Sequence, residues 1–554
     1  MKDRTMIRRA LLDVRRALVL LLTFARTMGP PLLLRLGGKR ESAREIGARV
    51  RKAFEHLGIT YVKLGQFLAM RFDILPEEVC RELAKLFDAV PPMKSKIVIE
   101  TIERELGKPI GKIFARFNRE PLAAASIAQV HRGVLPTGEA VAIKVQRPRI
   151  TEIFAADIRN LQRIARVGDF FRLLGPQSMV DAVEEFERFT SREMDFLIEA
   201  STAEKLRENA GPFEDVPRIY RQYSTPRILT MEFIDAPSLS EIIHDIESGG
   251  QALVPAGDRR ERLSSTIDVQ AAIQNLANAS LRQLFVTGFF HADPHPGNIL
   301  IREDGTVVFV DFGIFGQLSR ERRETFAMYI ENLAMGNIEQ SYRHFVRLLE
   351  PTSETDPQQL KRDVYAIMRG WYEASRTSAS SLAERHLGKY FSEFIEAIRA
   401  NKVRMGLDTL LFWRALLALD ATALRFKARF DLLGQLRTFF ERIRPTPIER
   451  LIDVMTSTQL AFDLLQLAHD APGDVSQSID DVIVERPLVA VRSESAPQQT
   501  IRVNNDAVLI ALPLGAASLF VIGLFAPLNV IGEVIVWTAL LFTASAALIR
   551  RATT

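Results

Sequence analysis

A chain of 554 residues is too long for a single core, so two or more structural units are expected. Apolar residues make up 47% and charged residues 25%, and a net charge of +4 is too balanced for a nucleic-acid sleeve, so no nucleic-acid partner is expected. The single cysteine, Cys80, excludes an internal disulfide and a cysteine-based zinc site.

Residues 1–40 interleave Arg8, Arg9, Arg15, Arg16 and Arg26 with LL, ALVLLLTFA and PPLLL. The apolar run 17–25 is short for a membrane span. A basic amphipathic helix lying on anionic lipid is the preferred reading, with an ordinary packed helix as the alternative. Residues 41–118 carry apolar positions at helical spacing through ARVRKAFEHL, ITYVKLGQFLAM and PEEVCRELAKLF. The texture changes at about 119: IAQVHRGVL and AVAIKVQ are β-rich runs joined by PTGE, a hairpin signal. Long amphipathic stretches at 151–173 and 176–209 precede another strand, RILTMEFID, so 119–235 reads as a sheet-bearing segment with a helical insertion. Residues 236–470 are predominantly helical, and the apolar helix 267–288 delivers the chain to HADPHPGN.

The C-terminus departs from this average. Residues 471–506, with APGD, SQS and SESAPQQT, read as a polar linker. Within 507–549, the first apolar run, 507–525, has no charge and the second, 528–549, only Glu533. Two transmembrane helices closed by a tight reversal are expected. Arg502, Arg550 and Arg551 place both ends on the cytoplasmic side of the inner membrane. Gly515, Gly523 and Gly532 leave room for close helix contact, and a homodimer stays open.

The chemistry is concentrated in HADPHPGNIL, 291–300, and VVFVDFG, 307–313. Phosphoryl transfer needs an aspartate near the attacking hydroxyl, oxygen ligands for Mg²⁺ and a cation on the phosphates. Asp293 suits the first role. Asn298, five positions on, and Asp311, after a strand, suit metal binding, and Gly313 lets the backbone turn sharply. His291 and His295 read as structural hydrogen-bonders. Upstream, Lys144 in VAIKVQ matches the strand lysine of kinases. Its carboxylate partner is read as Glu199, which shares a helix face with Asp195 while Glu193 projects elsewhere. Met231, Glu232 and Phe233 follow a strand and are placed to offer backbone groups to adenine. The loop over the phosphates is peculiar: Ala123, Ala124, Ala125 and Ser126 stand where kinases have glycines, so nucleotide is held differently there.

With these residues assembled, the chain resembles the UbiB family of atypical protein-kinase-like proteins, a family associated with ubiquinone biosynthesis. The resemblance runs from about 55 to 320. Lys63 and Gln66 in VKLGQ match the family's K-x-G-Q signature, AAAS its alanine-rich loop, Glu193 and Asp195 its E-x-D element, and HADPHPGN and DFG complete it. The resemblance implies an α+β, bilobal protein-kinase-like fold with a helical N-terminal extension, a helix-rich C-lobe and the C-terminal transmembrane hairpin. It also implies ATP or ADP with Mg²⁺ as cofactors. Lys63 and Gln66 would face the nucleotide pocket and meet Glu193 and Asp195, with the K-x-G-Q helix closing the groove where a protein substrate would lie. HAD replaces HRD and no APE segment follows DFG, so protein phosphorylation is disfavoured. The expected partners are membrane lipids and quinone precursors or quinone biosynthetic enzymes. A nucleotide-gated scaffold and a small-molecule phosphotransferase are the competing readings.

Overall fold

A capping box opens the first helix of the extension that carries K-x-G-Q: the Ser42 hydroxyl accepts from the Glu45 N–H, and the Glu45 carboxylate accepts from the Ser42 N–H at 2.8 Å. This is α2 (Ala43–Leu57), preceded by α1 (Lys2–Leu36). Gly58, at φ +92°, turns the chain into α3 (Ile59–Ala69), and α4 (Glu77–Leu83) follows. Phe54, Leu57, Tyr61, Val79, Leu83 and Leu86 form their common core, joined by Ala17 and Leu20 from α1. Burying such side chains stabilises by about 1.5–3 kcal/mol each. The computed structural model describes residues 2–36, 42–71, 75–86, 91–170, 178–248, 267–376, 387–425 and 431–443. The linker 471–506 and the hairpin 507–549 lie outside the described residues, among which no helix is long and apolar enough to cross a membrane.

After α5 (Ser95–Leu106) and α6 (Ile110–Ile113), three strands follow: β1 (Arg116–Ala124), β2 (Ala128–Val134) and β3 (Ala140–Gln146). With β5 (Ile228–Glu232) they form an antiparallel sheet in the order β1-β2-β3-β5. Alternation decides its faces. Val141, Ile143 and Val145 pack with Val98, Ile102, Ile113 and Phe114, so Ala142 and Lys144 project to the opposite side. Between β3 and β5 the chain forms α7 (Ile150–Phe170), α8 (Met179–Glu193), α9 (Phe196–Glu208) and the short β4 (Glu214–Asp215). Then come α10 (Leu239–Glu247), β6 (Phe289–His291), β7 (Ile299–Ile301) and β8 (Val307–Phe309), with β4 and β7 flanking β8 in a second sheet.

The described chain divides into two compact units. The first runs to Asp268 and takes in His291–Phe315; the second holds Val269–Phe290 and the chain from Gly316. The second is helical, with a core of Tyr329, Tyr390, Phe394 and Trp413 in which the two tyrosine hydroxyls meet at 2.8 Å.

Residues 236–248 and 291–315 group with the sheet-bearing unit, where β4 pairs in parallel with β8 and Ser238 bridges Leu300. Two expectations are corrected. Strand β1 begins at Arg116, inside the segment read as helical; it is exposed along most of its length and so shows no alternating apolar signal. The amphipathic stretch 176–209 is broken. Asp195 is not on a helix face shared with Glu199 but is the N-cap of α9, its side chain accepting from the Leu197 N–H at 3.0 Å.

Candidate active site

All of the site residues lie in the first unit. Lys144, on β3, is aligned with Val130 of β2 and Leu229 of β5. Its Nζ donates to Glu199 Oε1 at 2.6 Å and to Asp311 Oδ1 at 3.2 Å. Phe196 lies beneath the ammonium, 5.4 Å from ring centroid to Nζ. Glu199 sits in the first turn of α9, where the Asp195 cap aims it inward, and it also accepts from the Phe312 N–H at 3.4 Å. Asn298 Nδ2 donates to the other oxygen of Asp311 at 3.1 Å. One lysine, two carboxylates and one amide therefore form a continuous chain of contacts, assembled from β3, α9 and the loops around β7 and β8.

The electrostatics follow from burial and pairing. Lys144 keeps 11% of its side-chain surface exposed, Glu199 2% and Asp311 39%. Burial opposes the ammonium charge, but Asp311 and Glu199 outweigh it and hold Lys144 above its ordinary value. For Asp311, packing works against ionisation, yet Lys144, His291 and Lys63 hold the carboxyl well below the usual range. Glu199 is pushed up by burial, with Lys144 opposing. The open carboxylate of this group is thus a firm anion, and the lysine a firm cation.

Asp293 is half-buried and fixed by its backbone: its N–H donates to His291 Nδ1 at 3.1 Å, and its carbonyl accepts from the His295 N–H at 2.6 Å. His291 is buried beside Phe315 and Phe309, and the exposed His295 ring accepts from the Gly297 N–H at 3.1 Å. Lys63, on α3, reaches Glu193 Oε2 at 2.5 Å, with 14% and 3% of the two side chains exposed. Glu193 closes α8, and its Cγ lies 4.0 Å from where a Cβ on Gly313 would sit, beside the DFG turn. Its Oε1 is buried without a hydrogen-bond partner among the described residues. Phe67 packs on Phe186 and Phe189, and Arg71 pairs with Glu185 at 2.6 Å, so α3 is braced along the helix that ends in Glu193.

Other expected site residues sit differently. Gln66 donates to the Leu86 carbonyl at 2.9 Å and supports the helix packing. At Gly65 a Cβ would meet Leu86 Cδ1 at 2.1 Å and Phe54 at 2.9 Å, which is why glycine occupies this helix interior. Ala123 and Ala124 belong to β1, paired with Val130 and Gln129. The turn that follows is tight: the Ala125 N–H donates to the Ala128 carbonyl at 2.8 Å, and Ser126 is buried. Met231 is buried in β5. The Glu232 N–H donates to the Arg218 carbonyl at 2.8 Å and the Phe233 N–H to the Ala140 carbonyl at 3.0 Å. Two supports escaped the sequence reading. Gln146 donates to the Met194 carbonyl at 2.8 Å, tying the α8–α9 junction to the lysine strand. Arg147 donates to the Ala125 carbonyl at 3.2 Å, holding the alanine turn. A polar residue two positions beyond Lys144, on the same strand face, was the available signal for the first.

Chemically, Asp311 and Asn298 supply hard oxygen ligands, the kind Mg²⁺ takes from protein when phosphates and water complete its shell. Among the described residues there is no group of three or more histidine, cysteine, aspartate or glutamate side chains placed to hold a metal ion.

Comparison with known proteins agrees with this geometry. Residues 85–345 match the ABC1 atypical kinase-like domain. The chain is 30% identical over 449 residues to the probable protein kinase UbiB of Pseudomonas fluorescens, covering 78% of each chain. It is 29% identical over 488 residues to the protein of that name from Pseudomonas aeruginosa, covering 86% of this chain and 87% of that one. Over 288 residues it is 36% identical to the chloroplastic protein Activity of BC1 complex kinase 7 of Arabidopsis thaliana, and it spans 39% of that relative's length. The kinase-like site and these relatives together lead to one assignment: the chain belongs to the UbiB family of atypical kinase-like proteins.

Proposed function

We propose that the protein is a membrane-anchored atypical kinase or ATPase that binds Mg-ATP and supports isoprenoid quinone biosynthesis, acting on a lipid-soluble precursor rather than on other proteins. The observation that carries this reading is the contact chain Glu199–Lys144–Asp311–Asn298. When bound, Mg-ATP would supply the transferable phosphoryl group and the charge neutralisation that its transfer needs. Glu199 fixes the direction of Lys144, so the ammonium meets the phosphates without searching rotamers. Asn298 orients Asp311, and both would hold the ion. The buried Oε1 of Glu193, unpartnered among the described residues, offers a further acceptor beside the DFG turn. Asp293, its backbone clamped by His291 and His295, would orient the acceptor hydroxyl and take its proton. Lys63 and its helix would close the groove, which supports a small lipid acceptor over a peptide. The apolar hairpin 507–549 would keep the site on the cytoplasmic face of the inner membrane, near a substrate that stays in the bilayer.

A second reading, a nucleotide-gated scaffold with negligible turnover, is favoured by one feature. The Ala125, Glu232 and Phe233 N–H groups are all committed within the protein, so these three do not serve phosphate or adenine. ATP hydrolysis by purified protein, with and without anionic liposomes and quinone-like phenols, separates the two. The enzyme reading expects stimulation in wild type and none in Asp311→Asn. Unstimulated, equal rates in both would leave the scaffold.

A further inference from the structure

Helix α1 is amphipathic twice over. Its inner face is clamped to the rest of the unit: Arg16 donates two bonds of 2.7 Å to the buried Asp157 carboxylate and one of 2.9 Å to the Leu57 carbonyl. In return Asp13 accepts from Arg159 at 2.9 and 2.6 Å, while Asn160 donates to the Asp13 carbonyl at 3.0 Å. Ala17, Leu20 and Phe24 complete that face against Phe54 and its neighbours. These crossed pairs fix the rotation of α1 about its axis. What they turn outward is a second apolar stripe: Leu11 is 65% exposed, Val14 46%, Leu18 54% and Leu22 60%. The spacing of three, four and four residues keeps all of them on one side of a helix.

We propose that this outer stripe is an interfacial docking surface for an anionic lipid bilayer. The charge pattern selects that occupant. Arg15 and Arg26 are exposed along one flank of the stripe, at 100° per residue about 55° and about 75° from its centre. Between residues 9 and 27 the one acid is Asp13, which faces inward and is consumed by Arg159. A second copy of α1 would set arginine against arginine with no carboxylate to answer them. A surface of acyl chains beneath anionic headgroups answers both the leucines and the arginines. The contact is separate from the apolar runs at 507–549 and does not depend on the nucleotide reading. Because Tyr61 of α3 lies in the same core as Ala17 and Leu20, a docked α1 would hold the Lys63 helix at a set distance from the bilayer.

The test uses the full chain carrying L18C labelled with an environment-sensitive fluorophore; the native Cys80 is fully buried. E100C, at an exposed position on α5, carries the control label. Protein is mixed, without nucleotide, with phosphatidylcholine vesicles or with vesicles that also contain phosphatidylglycerol. The expected result is a blue shift and quenching by a lipid-borne quencher at position 18 on the anionic vesicles, with no change at position 100. L22C should behave as L18C, which guards against a local defect. R15Q/R26Q should lower the docked-to-free ratio of the helix about 30-fold on anionic vesicles, from about 1 kcal/mol per basic residue, and not on neutral ones. A label at 18 that stays in water on anionic vesicles overturns the proposal. So does a blue shift that follows protein concentration without lipid, since a second copy would then cover the stripe.

Discussion

Lys144 and Lys63 each reach a nearly buried carboxylate at close to the same distance, 2.6 Å to Glu199 and 2.5 Å to Glu193, yet they are supported differently. Lys144 stands on the third strand of a four-stranded sheet, and a second carboxylate, Asp311, shares its ammonium. Lys63 stands on an eleven-residue helix of the extension, held over its partner by Phe67, Arg71 and the close packing at Gly65. The first pair is built into the sheet and offers an exposed anion. The second is a strut between helices whose direction depends on packing some distance from the charge. In the proposed function one lysine belongs to the site's chemistry, and the other to its geometry.

Removing a carboxylate should separate the two most clearly. Glu199→Ala leaves a deeply buried ammonium with only Asp311, and a loss of about 4 kcal/mol is expected in urea unfolding of the first unit. A loss under 1 kcal/mol would mean that Asp311 alone satisfies Lys144. Lys63→Met should destabilise by about 3 kcal/mol, because Glu193 is then buried without its cation; the double change Lys63→Met with Glu193→Leu should recover most of that. Additive losses in the double variant would show that the two side chains do not act as a pair. Gly65→Ala touches neither charge, yet should cost about 2 kcal/mol through overpacking against Leu86 and Phe54. It should also weaken nucleotide binding if the strut sets the groove. Unchanged stability in this variant would remove the packing account of α3.

The smallest effect is one of pH. Asp311 is held below the ordinary carboxylate value, so its pairing contributes fully above its unfolded value of about 4 and fades as pH falls through the lower folded one. Lys144, held above its ordinary value, contributes fully below about pH 10.4 and fades as pH rises through the higher folded one. Glu199, raised by burial, works the other way and withdraws stability as pH rises above about 4.3. The stability difference between wild type and Asp311→Asn should therefore open as pH rises towards 4. A difference that shrinks over the acid range would show that Asp311 is not the firm anion of the group.

Much of the Lys144 site was legible because its signals are local. A lysine in a β-rich run and an aspartate after another strand carry their own spacing, and Glu199 follows from needing a carboxylate within a helix. Lys63 had no such signal; its meeting with Glu193 depends on how two helices pack, and only the K-x-G-Q resemblance brought it forward. Asp195 was misread for a related reason: an aspartate inside an amphipathic stretch looks like a helix face until the chain breaks, and there it caps. Strand β1 hid because an exposed edge strand has no apolar alternation to display. The commitment of the Glu232 and Phe233 N–H groups to the protein's own carbonyls is set by pairing across the sheet, which no run of residues reveals.

The most direct test is calorimetric titration of ATP into wild type and Asp311→Asn, each with and without Mg²⁺. Mg²⁺ should tighten binding in wild type and the substitution should abolish that tightening, a loss of at least about 100-fold, or about 2.7 kcal/mol. Equal Mg²⁺-dependent affinity in both proteins would contradict it, since the anion beside Lys144 would then have no part in holding the nucleotide.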